Sequence, residues 1–170
     1  LVTAHRRENL SKIVNLLNAV KELSHKESCH DFSFIITTHK NPELIKIFKD
    51  FYNKLNKKEH EKIKLIEATS YPRFLKLMSD SYFIVTDSGG VQEEAPYLEK
   101  PVLVFREHSE RLTGLDLGLA KLTGTQEKDI YDAMLNLISS KDDYQTMIQA
   151  DSKPYGDGTA AAKIVDTILP

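Results

Sequence analysis

The 170-residue sequence predicts one α/β domain, a three-layer Rossmann-like fold with a parallel sheet between two layers of helices. Three observations lead to this prediction. Short runs rich in β-branched and aromatic residues alternate with longer segments whose apolar residues recur every three or four positions. The short runs lack a clean in/out alternation, which is typical of strands covered on both faces. Short connections between the two kinds of segment imply right-handed crossovers and therefore parallel strands.

The predicted strands are short apolar runs that begin at the first residue of the chain. They cover residues 1–4, 32–37, 63–66, 82–86 and 101–105. The stretch that follows, residues 106–118, has no clear apolar period and is predicted to be irregular. A short apolar piece at residues 119–122 follows it.

The predicted helices fill the intervals and the end of the chain. Asn41 precedes Pro42 and is expected to cap the second long helix, because proline suits the first helical position. Thr159 is expected to cap the last helix. The helical segments are predicted at residues 10–23, 44–55, 72–79, 91–98, 129–139, 144–150 and 160–168.

The composition excludes several classes of function. A net charge of -2 gives no electrostatic footprint for nucleic acid or an anionic membrane surface. No apolar run approaches the roughly 20 residues that span a bilayer. The single Cys29 excludes an internal disulfide framework, is compatible with a reducing compartment and favours a cytoplasmic location. No His/Asp/Glu grouping has metal-ligand spacing, so no metal site is predicted.

Polar residues directly after the strands are the candidates for a site, because ligands of such sheets bind beyond the carboxyl ends of the strands. After the first strand, Arg6 and Arg7 are suited to hold a phosphate or carboxylate, and His5 is suited to general acid–base work. The alternative is a solvated turn in which Glu8 and Asn9 begin the next helix. After the second strand comes His39, for which a structural role is the ordinary interpretation.

The richest candidate follows the fourth strand, where Ser88, Gly89 and Gly90 lead into a helix. Glycines let a ligand approach the backbone, and unpaired amides at a helix start favour an anion such as a diphosphate. Glu94, about one turn further on, is suited to accept hydrogen bonds from sugar hydroxyls. The alternative is a tight turn that needs glycine only for its backbone angles. P-loop, dinucleotide-binding and hydrolase-elbow motifs are absent from the sequence.

These segments together resemble the nonhydrolysing UDP-N-acetylglucosamine 2-epimerase family. The similarity spans essentially the whole chain, in the family's order and approximate spacing. The runs that carry it are TAHRREN (3–9), THKNP (38–42), TDSGGVQEEAP (86–96), KPVLV (100–104), SER (109–111) and PYGDG (154–158).

The resemblance covers only the second of the family's two Rossmann-like domains, in the arrangement also used by GT-B glycosyltransferases. We therefore expect residues 1–170 to be a UDP-binding C-terminal domain whose N-terminal partner domain is absent, in keeping with the abrupt start at Leu1. The resemblance implies cofactor-free interconversion of UDP-N-acetylglucosamine and UDP-N-acetylmannosamine, by elimination and re-addition of UDP. It also implies a full-length homodimer, and we expect the isolated fragment to be inactive.

Roles implied by the resemblance fall on nine residues. His5 matches the active-site histidine, and Arg6 and His39 match contacts to a second, regulatory UDP-sugar. The loop at residues 106–119 departs from the family pattern, since Leu112 replaces a proline. The UDP-binding positions are matched by Phe74 (uracil), Ser88, Gly89, Gly90 (diphosphate), Glu94 (ribose) and Arg111.

Two other interpretations stay open at this point. One is the nucleotide-binding half of a GT-B glycosyltransferase, which also uses a glycine turn and a glutamate; the HRREN run at residues 5–9 favours the epimerase. The other is a domain that only senses a sugar nucleotide. Incubation of the full-length protein with UDP-N-acetylglucosamine and no acceptor distinguishes the epimerase from both alternatives, because only an epimerase reaches a two-sugar equilibrium.

Overall fold

The protein forms one six-stranded parallel sheet, here described from a computed structural model over residues 1–149 and 154–169. The strand order is β3-β2-β1-β4-β5-β6, and every neighbouring pair is parallel. The strands are β1 (Val2–Thr3), β2 (Phe34–Thr37), β3 (Ile63–Ile66), β4 (Ile84–Thr86), β5 (Val102–Val104) and β6 (Ala120–Leu122).

Nine α-helices lie within the described residues, together with short 3-10 turns. The 3-10 segments are Arg7–Lys12, Glu27–Cys29 and Ala95–Leu98. The α-helices are α1 (Ile13–Ser24), α2 (Pro42–Asn53), α3 (Lys57–Lys62), α4 (Tyr71–Asp80), α5 (Gly89–Glu94), α6 (Leu112–Asp116), α7 (Glu127–Ser139), α8 (Lys141–Gln149) and α9 (Ala160–Ile168).

The core has two parts, one on each face of the sheet. Successive strand side chains point to opposite faces, and in β4 Val85 joins one cluster while Ile84 joins the other. The first cluster buries residues of α1, α2 and α7, with Phe48 and Leu16 fully buried. The second buries residues of α4 and α5, including Met78. This is the three-layer arrangement that the sequence predicts.

The five predicted strands are confirmed, with tighter bounds than the apolar runs. The interpretation of residues 106–118 as irregular is wrong in part, because α6 forms there, and the apolar piece after it is the sixth strand. Helix α3 was also not predicted. It is only six residues long and mostly charged, so it carries no apolar period to detect.

The two predicted helix caps have different outcomes. The side chain of Asn41 accepts a hydrogen bond from the amide of Glu43 at 2.9 Å, so this cap is confirmed. Thr159 does occupy the N-cap position of α9, but its side chain makes no capping bond and its hydroxyl donates to Asp157 instead. The predicted helix over residues 144–150 ends at Ala150, which lies outside the described residues.

A buried carboxylate joins α1 to α3 on the outer side of the domain. Glu59 is 2% exposed, and its Oε2 accepts the amide of Asn56 at 2.6 Å in a capping box. Its Oε1 lies 2.9 Å from Nε2 of His25 and 3.5 Å from Nζ of Lys21. Burial opposes ionisation, but these contacts prevail and lower the pKa of the Glu59 carboxyl.

Replacing Glu59 with glutamine should therefore lower the free energy of unfolding at pH 7 by about 1 to 2 kcal/mol, because charge-assisted hydrogen bonds are lost. A carboxyl whose folded pKa is depressed stabilises the protein above its unfolded pKa, about 4.3. The difference between wild type and variant should shrink as the pH falls below that value. Urea denaturation at several pH values measures it, and a difference that persisted unchanged at pH 3 would contradict the assignment.

Candidate functional site

The site lies where β1 and β4 run side by side, although more than 80 residues separate them along the chain. The connections from β1 lead to β2 and β3 on one side, while β4 leads to β5 and β6 on the other. This is the topological switch point of the sheet, where the loops after two adjacent strands diverge and leave a crevice. The loop after β1 carries the predicted site at His5 and Arg6, and the loop after β4 carries the predicted site at residues 88–90.

Asp87 holds these two loops together. It follows β4 directly and is fully buried. Its carboxylate accepts the backbone amides of His5 at 3.0 Å and Arg6 at 2.9 Å, and the side-chain amide of Asn9 at 3.2 Å. Asn9 also donates to the carbonyl oxygen of Phe105 at 3.2 Å, which adds the loop after β5 to the assembly. The buried charge is therefore satisfied by donors from the β1 loop.

The His5 side chain lies beside this anchor. Its Nδ1 lies 3.6 Å from a carboxylate oxygen of Asp87, and its side chain is 36% exposed. The ring stacks on that of His39, with centroids 5.1 Å apart and planes inclined by 16°. The amide of Asn41 donates to Nδ1 of His39 at 3.3 Å, so a neutral His39 ring carries its proton on Nε2. The structure thus brings the two predicted histidines into contact.

The second part of the site is the anion cradle, defined here as Ser88, Gly89 and Gly90. The amide of Ser88 donates to the Thr86 hydroxyl at 3.0 Å. Neither glycine has a positive φ, so the alternative that the turn needs them for backbone angles is wrong. A Cβ on Gly90 would meet nothing nearer than Oγ of Ser88 at 4.0 Å. Gly90 therefore leaves the space above its backbone open, and Gly89 faces the side chain of Arg111.

Arg111 lies against this cradle in spite of the altered loop. A Cβ on Gly89 would be 3.5 Å from both Nε and Nη2 of Arg111. The same Nε is 2.5 Å from Oε1 of Glu93, an ion pair whose angle is not that of an aligned hydrogen bond. The guanidinium, paired with Glu93, therefore lies beside the glycines, and a charged guanidinium is a group suited to bind phosphate.

A ring of alternating charges joins the β1 loop to the β5 loop. Arg6 contacts Glu8 at 3.4 Å and Glu110 at 3.1 Å, and Arg106 contacts the same two carboxylates at 3.5 and 2.6 Å. A hydrogen bond from its own backbone amide, followed by Arg106, lowers the pKa of Glu110 to about 2. Arg6 is thus held by Glu110, whose Oε1 would lie 3.7 Å from a Cβ on Gly89 of the cradle.

The remaining predicted residues flank α5. Glu94 is its last residue, and its negative charge raises the pKa of the exposed Tyr71 hydroxyl, which lies at the start of α4. The start of α4 and the end of α5 therefore come together. Phe74 lies one turn further along α4 and packs, partly buried, against the second core cluster.

Residues that the sequence did not single out complete the site. Asp87, Asn9 and Gln92 are buried polar residues, and Glu93 pairs with Arg111. One signal for Asp87 is available in the sequence: it stands directly between an apolar strand and the cradle.

The described parts of the chain contain no group of three or more His, Cys, Asp or Glu side chains that could hold a metal ion. None of the described helices is long and apolar enough to cross a membrane.

Fold and site together define a class. A parallel sheet in this order, with a glycine turn and charged side chains at its switch point, is a Rossmann-like domain. Residues 1–169 match the sequence model of the family described as UDP-N-acetylglucosamine 2-epimerase, and the chain belongs to that family.

Curated relatives carry the same description. The UDP-N-acetylglucosamine 2-epimerase of Bacillus subtilis is 39% identical over 99% of this chain and 43% of its own length. That of Neisseria meningitidis serogroup A is 40% identical over 99% of this chain and 44% of its own length. The chain therefore spans less than half the length of these relatives.

Solved structures agree on the fold. A Staphylococcus aureus MnaA–UDP co-structure matches 98% of this chain and 44% of its own, with a TM-score of 0.87 and 39% identity. The Neisseria meningitidis epimerase bound to UDP-GlcNAc matches 99% of this chain and 43% of its own, with a TM-score of 0.87 and 40% identity. WaaG, a glycosyltransferase involved in lipopolysaccharide biosynthesis, is 14% identical with a TM-score of 0.68 and shares the GT-B-type domain fold alone.

Proposed function

We propose that residues 1–170 are the UDP-binding C-terminal domain of a longer epimerase that interconverts UDP-N-acetylglucosamine and UDP-N-acetylmannosamine. The observation that carries the proposal is the open cradle, in which Gly89 and Gly90 adopt ordinary backbone angles yet bear no side chain, with Arg111 beside them. Glycine is not required there by the backbone, so a closely approaching ligand explains it best. The UDP and UDP-GlcNAc complexes of relatives support a uridine diphosphate as that ligand.

The proposed reaction begins with removal of the proton at C2 of the sugar. The C2–H electron pair forms the C1–C2 double bond, the C1–O bond breaks, and its electrons leave with UDP, giving a 2-acetamidoglucal. Addition of UDP back to C1 and of a proton to the other face of C2 completes the inversion. The cradle amides and Arg111 stabilise the charge of the departing diphosphate. We assign the C2 proton transfers to carboxylates of the N-terminal domain.

His5 has a proposed role at the leaving group. Asp87 lies 3.6 Å from its Nδ1, and we assign the contact with the diphosphate to the other ring nitrogen, Nε2. A protonated imidazole there donates to the diphosphate as the C1–O bond breaks. In the longer protein, His5→Ala should slow product formation by about a hundredfold or more, and unchanged formation would argue against this role.

The finer assignments are proposals of the same kind. Glu94 binds the ribose hydroxyls and Phe74 lies against the uracil, both supported by the approach of α4 to α5. Arg6 and His39 contact a second, regulatory UDP-sugar, supported by their place beside His5. We also propose that the longer protein is a cytoplasmic homodimer serving polysaccharide biosynthesis. These last features rest on the family alone.

Calorimetric titration of this chain with UDP, UMP and uridine tests the ligand. Affinity should fall from UDP to UMP to uridine, because the cradle and Arg111 recognise the phosphates. Equal affinity for UDP and uridine would contradict the proposed cradle. The reaction is tested with the longer protein, which should bring UDP-N-acetylglucosamine to a two-sugar equilibrium without an acceptor. This chain alone should show no turnover.

A further inference from the structure

A buried glutamine links the anion cradle to the loop that carries Arg111. Gln92 lies on α5 and is 1% exposed. Its Nε2 donates to the carbonyl oxygen of Ser88 at 3.2 Å, and its Oε1 accepts the hydroxyl of Ser109 at 2.8 Å. Both ends of the side-chain amide are therefore occupied, one by the cradle and the other by the loop after β5.

The Ser109 hydroxyl continues the chain of hydrogen bonds. While it donates to Gln92, it also accepts the backbone amide of Arg111 at 3.1 Å. The next residue, Leu112, is 59% exposed, so apolar packing does not hold the loop at that point. The hydrogen bonds through Ser109 therefore set the place of the Arg111 backbone, and the ion pair with Glu93 sets its guanidinium.

We propose that Gln92 and Ser109 are positioning residues that hold Arg111 beside the cradle. The inference rests on the proposed function for its ligand, the diphosphate of a uridine nucleotide. An arginine already held in its bound conformation loses less conformational entropy when a phosphate arrives. Both residues act on the ligand through Arg111, which distinguishes them from residues that only stabilise the fold.

The test uses four variants of this chain: Ser109→Ala, Ser109→Thr, Arg111→Ala, and the double variant with both alanines. Ser109→Ala removes both hydrogen bonds and should weaken UDP binding roughly five- to tenfold in calorimetric titration. Ser109→Thr keeps a hydroxyl and should bind UDP within about twofold of wild type. In the Arg111→Ala background, Ser109→Ala should change UDP affinity less than about twofold, because the residue it positions is gone.

A ligand-free measurement separates this inference from the proposed function. The Nε–H signal of Arg111 in nitrogen-15 correlation spectra, assigned by its loss in Arg111→Ala, should have a distinct position in wild type and Ser109→Thr. In Ser109→Ala it should move to the position typical of exposed arginines, with the midpoint of urea unfolding nearly unchanged.

The outcomes are then distinct. If wild type failed to bind UDP but the Arg111 signal behaved as described, the proposed ligand would be wrong and the positioning role would stand. If Ser109→Ala weakened UDP binding equally with and without Arg111, or left the Arg111 signal in place, the positioning role would be overturned. Gln92→Met, which fills the same space without polar atoms, should repeat the Ser109→Ala pattern, and an unaltered Arg111 signal would exclude Gln92.

Discussion

Replacing Asp87 with alanine is expected to lower the free energy of unfolding by about 3 to 5 kcal/mol, the cost of breaking a buried charged network. The carboxylate is fully buried and accepts the amides of His5 and Arg6 and the side-chain amide of Asn9. Alanine leaves all three donors inside the protein without this acceptor, and each unsatisfied donor carries a desolvation penalty of about 1 to 3 kcal/mol. Urea denaturation measures the effect.

Two further substitutions make the Asp87 experiment specific. Asp87→Asn keeps the shape and one acceptor oxygen but presents an NH2 group to amide donors, so it should fall between wild type and alanine. Asp31 is a matched control, because its side chain is 95% exposed and its replacement by alanine should change stability by no more than about 0.5 kcal/mol. An Asp87→Ala loss as small as that of Asp31→Ala would contradict the anchoring role.

The sequence predicts His5 and the cradle as separate candidate sites, but it does not predict that the two lie side by side. His5 and the cradle each follow an apolar strand, and ligands of parallel sheets bind at such strand ends. Nothing local places β1 beside β4 rather than another strand, since the order of strands depends on the packing of the whole sheet. The contact between His5 and Asp87, and the stacking of His5 on His39, are consequences of that order.

The segment before β6 is the second part of the structure that could not be predicted from the sequence. Helix α6 has only five residues and β6 only three, so neither is long enough to establish a period. Arg111 was matched by motif alone. The bonds that hold it run through Gln92 and Ser109, which stand 17 positions apart, and polar side chains of this kind are found only when the fold brings them together.

Replacing Gly90 with alanine is expected to weaken UDP binding without lowering the free energy of unfolding. Outside the backbone of its own helix, the added Cβ meets nothing nearer than Oγ of Ser88 at 4.0 Å, and alanine favours a helix more than glycine by up to about 1 kcal/mol. The free energy of unfolding should therefore stay the same or rise. A methyl group in the space that a phosphate must fill should weaken UDP binding by about 2 to 3 kcal/mol, or roughly 30- to 150-fold.

Gly124→Ala is the matched control, because it makes the same chemical change where the backbone does require glycine. Gly124 has φ +66°, a conformation that costs an L-residue roughly 1 to 2 kcal/mol, and it follows β6 at the edge of the sheet. This variant should be less stable by that amount and bind UDP as wild type does. Urea denaturation should thus show a loss of stability only in Gly124→Ala, and calorimetric titration should show a loss of UDP affinity only in Gly90→Ala. This contrast distinguishes a glycine that a ligand requires from a glycine that a turn requires. A Gly90→Ala protein that bound UDP normally would mean that no phosphate approaches the backbone there, and the proposed cradle would have to be abandoned.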